Sequence, residues 1–329
     1  MNILYRKTLD GICIQRCYGL DGNIQLPQEC QGLPVRELER YVFSETVRGR
    51  EIPPKERQGE GEIAGEQLTE LTLPANLRRI GAYAFYNCTE LRRLCCHSTV
   101  EDWGAGVFTG CTGINELDIC IHPGEKSCFK EILSELHQTL TVDYRDEKGV
   151  LRAKLVFPEY FEESVENTPA RIIMREMHGC GHMYRYCFSG QEFQFREYDS
   201  LFPHVQVQEK PELVTKLALY RLYWPWELSE ASGERYWDFV REHAGEAAAG
   251  LVKRGEYSIL AWAVSLPQLG TGFGDPSGCK AWKIWGKEWS GKANGAHVLS
   301  VTGAGFSDTK SRRINRCQRN QEQKNYRNS

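Results

Sequence analysis

The sequence of 329 residues contains no long apolar run. Stretches such as Ile259 to Leu266 fall well short of the roughly 20 residues a helix needs to cross a bilayer, so no membrane span is expected. An excess of one charge is also missing. With 41 basic against 44 acidic side chains and a formal charge of -3, the chain creates no strong field for nucleic acid or anionic lipid. Met1 to Lys7 runs into polar Thr8 and Asp10, so the apolar core of a secretory signal is lacking and the expected location is the cytoplasm. Gly179-x-Gly181 is not a dinucleotide fingerprint, because no third glycine and no helix start are expected after it. The 13 cysteines show neither a repeated C-x-x-C spacing nor two close pairs. That excludes a disulfide framework and a structural zinc site of the usual spacing, and no cofactor is expected. What is present, 41 % hydrophobic and 26 % charged residues, is the composition of an ordinary folded protein.

Self-similarity organises the first third of the chain. A shift of 23 residues lays Leu68 on Leu91, Leu71 on Leu94, Leu73 on Cys96, Leu77 on Val100, and Ile80 on Trp103. The same shift superposes Gly81 on Gly104, Ala84 on Val107, Phe85 on Phe108, Cys88 on Cys111, Leu91 on Ile114 and Leu94 on Leu117. Within one unit Leu71 and Leu73 alternate as in a strand, Pro74 stops it, and Ile80, Ala84 and Phe85 return at near-helical spacing. Such a unit cannot bury its apolar face alone, so neighbouring units must stack into a solenoid with a strand-lined face. Cys88 and Cys111 share one register and read as small inward hydrophobes rather than redox or metal groups.

Leu68 to Cys88, read L-x-x-L-x-L-P-x-x-L-x-x-I-G-x-x-A-F-x-x-C, resembles the BspA-type leucine-rich repeat. A degenerate earlier copy runs through Ile24 to Pro27, Gly32 to Val35, Leu38 and Tyr41 to Phe43, with Glu39 in place of the repeat glycine. The resemblance covers roughly residues 11 to 121. It implies a repeat domain that binds proteins and does no chemistry, in a family many of whose bacterial members are secreted or surface-attached. Glu45 to Gln67, with Pro53-Pro54 and many charges, reads as an exposed loop. Gly11 to Tyr18 reads as one arm of a capping hairpin with Asn23 to Leu26.

After Ile121-His122-Pro123 the period stops. Lys126 to Gln138 predicts a capping helix through Phe129, Ile132, Leu133 and Leu136, and Gly149 to Pro158 a strand. Two more strands are expected at Ala170 to Met177 and Met183 to Phe188, joined by a hairpin turn at His178 to His182. Pro211 to Trp224 predicts an amphipathic helix, Glu230 to Gly255 two helices broken near Gly245, and Tyr257 to Ser265 another. The fold class is therefore α+β: a short solenoid, a small strand region and a helical-hairpin region. The divisions are 1–121 solenoid with cap, 122–148 capping helix and linker, 149–267 strand then helical domain, and 268–329 irregular tail.

Three chemical readings attach to the middle region. His178, Cys180 and His182, with Cys187 or His204 as a further ligand, have the donor types of a transition-metal site, but histidines in a hairpin turn need no metal. Cys180 with His204 has the elements of a nucleophile pair without an identified group to lower the thiol pKa. Glu159, Glu162, Glu163 and Glu166 read as a solvated acidic face rather than the paired carboxylates of a glycosidase. The aromatic group Tyr220, Tyr223, Trp224, Trp226, Tyr236 and Trp237 reads as helix packing in preference to a binding surface. The expected function is thus that of a non-catalytic adaptor with protein partners and no nucleic acid. A cell-surface adhesion protein and an enzyme or metal protein centred on His178, Cys180 and His182 are the alternatives.

The tail departs from this chain's character. Nine glycines fall between Gly270 and Gly305, and seven basic residues against Glu322 alone lie in Lys310 to Ser329. The basic run has the composition of a nucleic-acid arm; otherwise the tail is disordered, or it is translated out of frame: codons compatible with the stretch from Lys310, read one base onward, allow Lys-Ala-Glu-Glu-Leu-Ile-Asp, an amphipathic helical sequence. Sequencing the DNA across Ser265 to Gly274 tests this. A frame shift there is the expected finding, and an intact frame removes the explanation.

Overall fold

In the computed structural model the described residues are 1–49, 53–124, 126–167 and 172–266; the tail, with its glycines and basic run, lies outside them. The chain opens with β1 (Asn2–Lys7), β2 (Ile12–Tyr18), β3 (Asn23–Gln25), β4 (Glu29–Cys30) and β5 (Leu33–Leu38). A small hairpin follows, β6 (Glu56–Arg57) with β7 (Glu60–Gly61). Each of the next two repeats gives two short strands, β8 (Glu70–Thr72) with β9 (Arg79–Ile80), then β10 (Arg93–His97) with β11 (Asp102–Trp103). β12 (Glu116–Cys120), helix α1 (Phe129–Glu135), β13 (Leu140–Arg145) and β14 (Leu151–Phe157) complete this part.

Two parallel ladders run along a β-solenoid of about five turns over residues 12–145. In the first, β3, β8, β10, β12 and β13 pair in order, and Ile24, Leu71, Leu94, Leu117 and Val142 form one buried row. In the second, β2, β5, β9 and β11 align Ile14, Leu38, Ile80 and Trp103. Between them Phe43, Phe85 and Phe108 stack, with centroids 5.5 and 5.4 Å apart. The thiols beside this stack are satisfied as donors: Cys88 Sγ donates to the Phe43 carbonyl at 3.3 Å, and Cys111 Sγ to that of Phe85 at 2.9 Å. Gly81 and Gly104 let successive turns touch, since a Cβ at either would lie 2.4 Å from the backbone nitrogen of Arg40 or Ala82.

Antiparallel strands stop the two ladders at opposite ends. β1 lies against β2, and β14 against β13. The outer edge of β14 is closed by Tyr198, whose hydroxyl donates to the Val156 carbonyl at 2.7 Å and accepts from the Val156 amide at 3.0 Å. Helix α1 buries Phe129, Ile132 and Leu133, and Glu135 at its end accepts from Trp103 Nε1 at 2.7 Å and the Phe108 amide at 2.8 Å.

The remainder comprises the hairpin β15 (Phe161–Asn167) with β16 (Ile172–His178), helix α2 (Gly181–Arg185), and a short pair, β17 (Phe188–Ser189) with β18 (Glu192–Phe193). Helices α3 (Phe195–Ser200), α4 (Phe202–Gln208), α5 (Pro211–Tyr223), α6 (Glu230–Glu242), α7 (Ala244–Lys253) and α8 (Tyr257–Val264) follow. Asp199 ties this region together. It accepts both Arg221 Nε and Nη2 at 2.8 Å and the Tyr236 hydroxyl at 2.8 Å, all three residues being buried. Arg185 joins the two regions with no carboxylate: its guanidinium donates to the carbonyls of Leu136, Gln138, Pro158 and Gly181 at 2.5–2.9 Å. Burial pulls its pKa down to about 10, which still leaves it charged at neutral pH.

Three expectations are corrected. Gly11 to Tyr18 pairs with Asn2–Lys7 rather than with Asn23 to Leu26, because Ile24 is needed in the row headed by Leu71. His178 to His182 is not a hairpin turn and Met183 to Phe188 is not a strand, since a helix starts at Gly181 and runs to Arg185. β16 ends at His178, Gly179 turns the chain at φ 94°, and Gly181 packs against the Pro158 carbonyl, where a Cβ would lie 2.0 Å away. The segment 45–67 is also not wholly exposed. The buried Arg16 guanidinium draws in Glu62 at 3.0 Å, and Ile63 and Ala64 follow it inside.

The repeat glycines carry the testable consequence. Gly104→Ala forces a methyl into the preceding turn, and overpacking of this kind costs about 1–3 kcal/mol. The expected result is a lower urea midpoint with an unchanged slope; an unchanged midpoint refutes the close-approach argument.

Candidate functional site

Alternation along the first ladder sends one side chain inward and the next outward. The outward rows are Arg93, Glu116 and Thr141, then Cys95, Asp118, Asp143 and Lys154, then His97, Cys120 and Arg145. Asp118 opposite Asp143 is a like-charge neighbour pair that would destabilise the ladder unless cations intervene. They do. Arg145 grips Asp118 through two hydrogen bonds of 2.6 and 3.0 Å, and Lys154 lies 3.2 Å from Asp143. Arg93 adds a bond of 3.1 Å to Glu116. His97 Nδ1 and His122 Nε2 approach to 3.0 Å, and burial holds His97 below its ordinary pKa.

Helix α5 and the turn before α8 overhang this face at its far end. They enclose a cavity of about 280 Å³ between Arg93, Glu116 and Asp118 on the strands and Lys216, Tyr220, Arg254 and Glu256 opposite. Lys216 Nζ donates to Thr141 Oγ1 at 2.8 Å. The Tyr220 hydroxyl is held by Glu256, which Arg254 Nε also reaches at 2.8 Å, while the Tyr220 ring faces the Lys154 ammonium at 5.0 Å. Burial, with Arg254 second, lowers the Lys216 pKa, and burial together with the Glu256 carboxylate raises that of Tyr220. No sequence motif marked these residues, since they come from strands and helices far apart in the chain and share no local pattern.

The candidates of the middle region are dispersed. His178 stacks on Phe161 at 4.7 Å and approaches Glu163 at 3.3 Å. Cys180 is buried near Glu209, His182 packs between Tyr160 and Tyr186, Cys187 donates to the Met183 carbonyl, and His204 is exposed. Among the described residues no group of three or more His, Cys, Asp or Glu side chains is placed to hold a metal. Glu162 and Glu163 lie on β15 of the hairpin, Glu162 within 3.8 Å of Arg175. Of the aromatic group, Tyr220 and Tyr236 are buried, Tyr223, Trp224 and Trp237 are half-buried, and Trp226 lies exposed under Arg152 at 4.9 Å. The repeat residues Leu68, Leu71, Leu73, Leu77, Ile80, Phe85, Cys88, Leu91, Leu94, Val100, Phe108, Cys111, Ile114 and Leu117 are all buried, and Gly81 and Gly104 lie at contacts between turns.

A stack of parallel strands with a repeated apolar register defines a solenoid. Residues 60–141 match the family model of the BspA type leucine rich repeat region, in six copies, so the chain carries such a region. Two solved structures are similar to part of the chain at 18% identity. One is a leucine rich repeat protein of T. pallidum, the match covering 44% of this chain and 79% of that one with a TM-score of 0.23. The other is a leucine rich cell surface protein from Faecalibacterium prausnitzii, covering 44% of this chain and 41% of that one with a TM-score of 0.27. No curated protein matches the chain. No helix among the described residues is long and apolar enough to cross a membrane.

The buried thiols set a pH limit. Burial pushes Cys13, Cys17, Cys128 and Cys187 up to about 12 and Cys180 to about 11, against an ordinary value of 9.0. The folded state therefore keeps protons that unfolded thiols lose, so this stabilisation is complete below pH 9 and declines as pH rises towards 12. Lys216 and Arg185, with their lowered pKa values, act in the opposite sense but are two groups against five thiols. Urea midpoints measured from pH 9 upward are expected to fall steadily; a flat profile contradicts the thiol burial.

Proposed function

We propose that this protein is a non-catalytic interaction protein whose outward strand face, along β10, β12 and β13, binds a protein partner. The supporting observation is the face itself, a continuous parallel ladder whose outward side chains are polar and already ion-paired. Charged groups held in fixed pairs keep a surface soluble while offering electrostatic complementarity, which governs specificity and association rate. Protein binding is also the general role of such repeats. The region 149–267 is the second module of the proposal, covering the end of the solenoid and framing one side of the face. The setting proposed is a reducing compartment such as the cytoplasm, on the support of thiols that donate to carbonyls within the core.

The test reverses the ion pair between positions 93 and 116 and gives up the second contact of Arg93, with Asp118 at 3.5 Å. The double variant Arg93→Glu with Glu116→Arg is compared with wild type in affinity capture from native cytosol, read by mass spectrometry. A stoichiometric protein captured by wild type and at least about tenfold weaker with the swap, roughly 1.4 kcal/mol, is the expected result. Equal capture by both forms refutes the assignment of the binding face.

A further inference from the structure

One cation in the cleft lacks the direct ion pair that its neighbours have. Arg93 lies 3.1 Å from Glu116, Lys154 3.2 Å from Asp143 and Arg254 2.8 Å from Glu256. Lys216 has the neutral hydroxyl of Thr141 at 2.8 Å and the face of Tyr220 at 5.7 Å, and among the described residues it makes no ion pair. An ammonium has three donors, so two remain for a ligand. Glu256 and Glu116 act on Lys216 only from a distance, since the Tyr220 hydroxyl and Arg254 hold Glu256 and Arg93 holds Glu116. A partly buried ammonium pays a desolvation cost that an entering anion would offset, and hydrogen bonds between two ionised groups are about twice as strong as neutral ones.

The cleft also limits what the anion is. At about 280 Å³ the cleft stands at the lower edge of the roughly 300–1,000 Å³ of small-ligand sites, and it admits an acidic side chain. Desolvation rises with the square of a ligand's charge while attraction to one ammonium rises only in proportion, so walls that also carry Glu116, Asp118 and Asp143 suit a single carboxylate better than a doubly charged phosphate. The cleft is bounded by the outward strand face, where a bound protein would lie.

We propose that the cleft is an anchor site for an aspartate or glutamate side chain of the partner protein, received by the Lys216 ammonium with Arg254 beside it. This rests on the reading that the strand face binds a protein, and adds which group of that protein enters the cleft. Thr141 is the positioning residue, since its hydroxyl holds Nζ at the cleft wall.

The test uses the wild-type chain, so it does not depend on a variant folding. Acylation of Lys216 by acetic anhydride is followed by peptide mass spectrometry, with exposed Lys55 as internal reference. The probes are acetyl-Gly-Gly-Glu-Gly-Gly-amide, its glutamine counterpart, and inorganic phosphate. The glutamate peptide is expected to slow Lys216 acylation at least threefold relative to Lys55, with no effect from glutamine and less from phosphate. Equal effects of the glutamate and glutamine peptides, no protection at all, or protection by phosphate alone overturns the proposal. Lys216→Met, with its fold checked by circular dichroism, then enters the capture assay. If it retains the partner that the Arg93/Glu116 swap loses, the anchor fails and the surface reading stands. If neither change affects capture, the surface reading fails, and the acylation result decides the cleft by itself.

Discussion

A repeat of this kind cannot bury its own apolar face, and every other feature of the molecule answers to that constraint. Each turn hides Leu71, Leu94 or Leu117 only by lying against the next turn, so the interior is continuous and its two ends are exposed by construction. The chain closes them with different means. β1 reverses direction against β2 at one end, and β14 against β13 at the other. Because β14 would itself be an open edge, Tyr198 occupies both hydrogen-bonding groups of Val156. Glu135 of α1 does the same for two donors at the end of the second ladder.

The helical region owes its placement to the same need. Tyr198 belongs to α3, and its position is fixed by Asp199, which anchors Arg221 of α5 and Tyr236 of α6. A cap built this way lays α5 across the last strands and brings Lys216 within hydrogen-bonding distance of Thr141. The charged cleft is thus a by-product of closing the solenoid, formed where α5 meets the last strands. Arg185 holds that junction by filling four carbonyls at once, a role that lysine, with three donors on a point charge, could not reproduce.

How much of this was legible in the sequence follows from the range of the interactions. The repeat was legible because its signal is local and periodic: Leu71, Gly81, Phe85 and Cys88 return together after 23 residues. β13 was not, because the insertion carrying α1 sets Val142 25 residues after Leu117, outside the period, although the two pair directly. Glycines 179 and 181 misled because a residue without a side chain suits a tight turn and a close packing contact equally well. Gly179 serves the first and Gly181 the second, with the Pro158 carbonyl as its neighbour. The cleft left no trace, since Thr141, Lys216 and Arg254 are each unremarkable in their own segments and become a site only through tertiary contact.

The regular spacing of the turns has a consequence for how such a protein can change over generations. Each unit adds one strand to the ladder, about 4.8 Å, and touches only its neighbours. An in-frame duplication of the segment from Leu68 to Glu90 would therefore lengthen the molecule without disturbing either closure or the junction at Arg185. Reach and anchorage are inherited separately: gene duplication can adjust how far the surface extends, while the contacts at its far end are passed on unaltered.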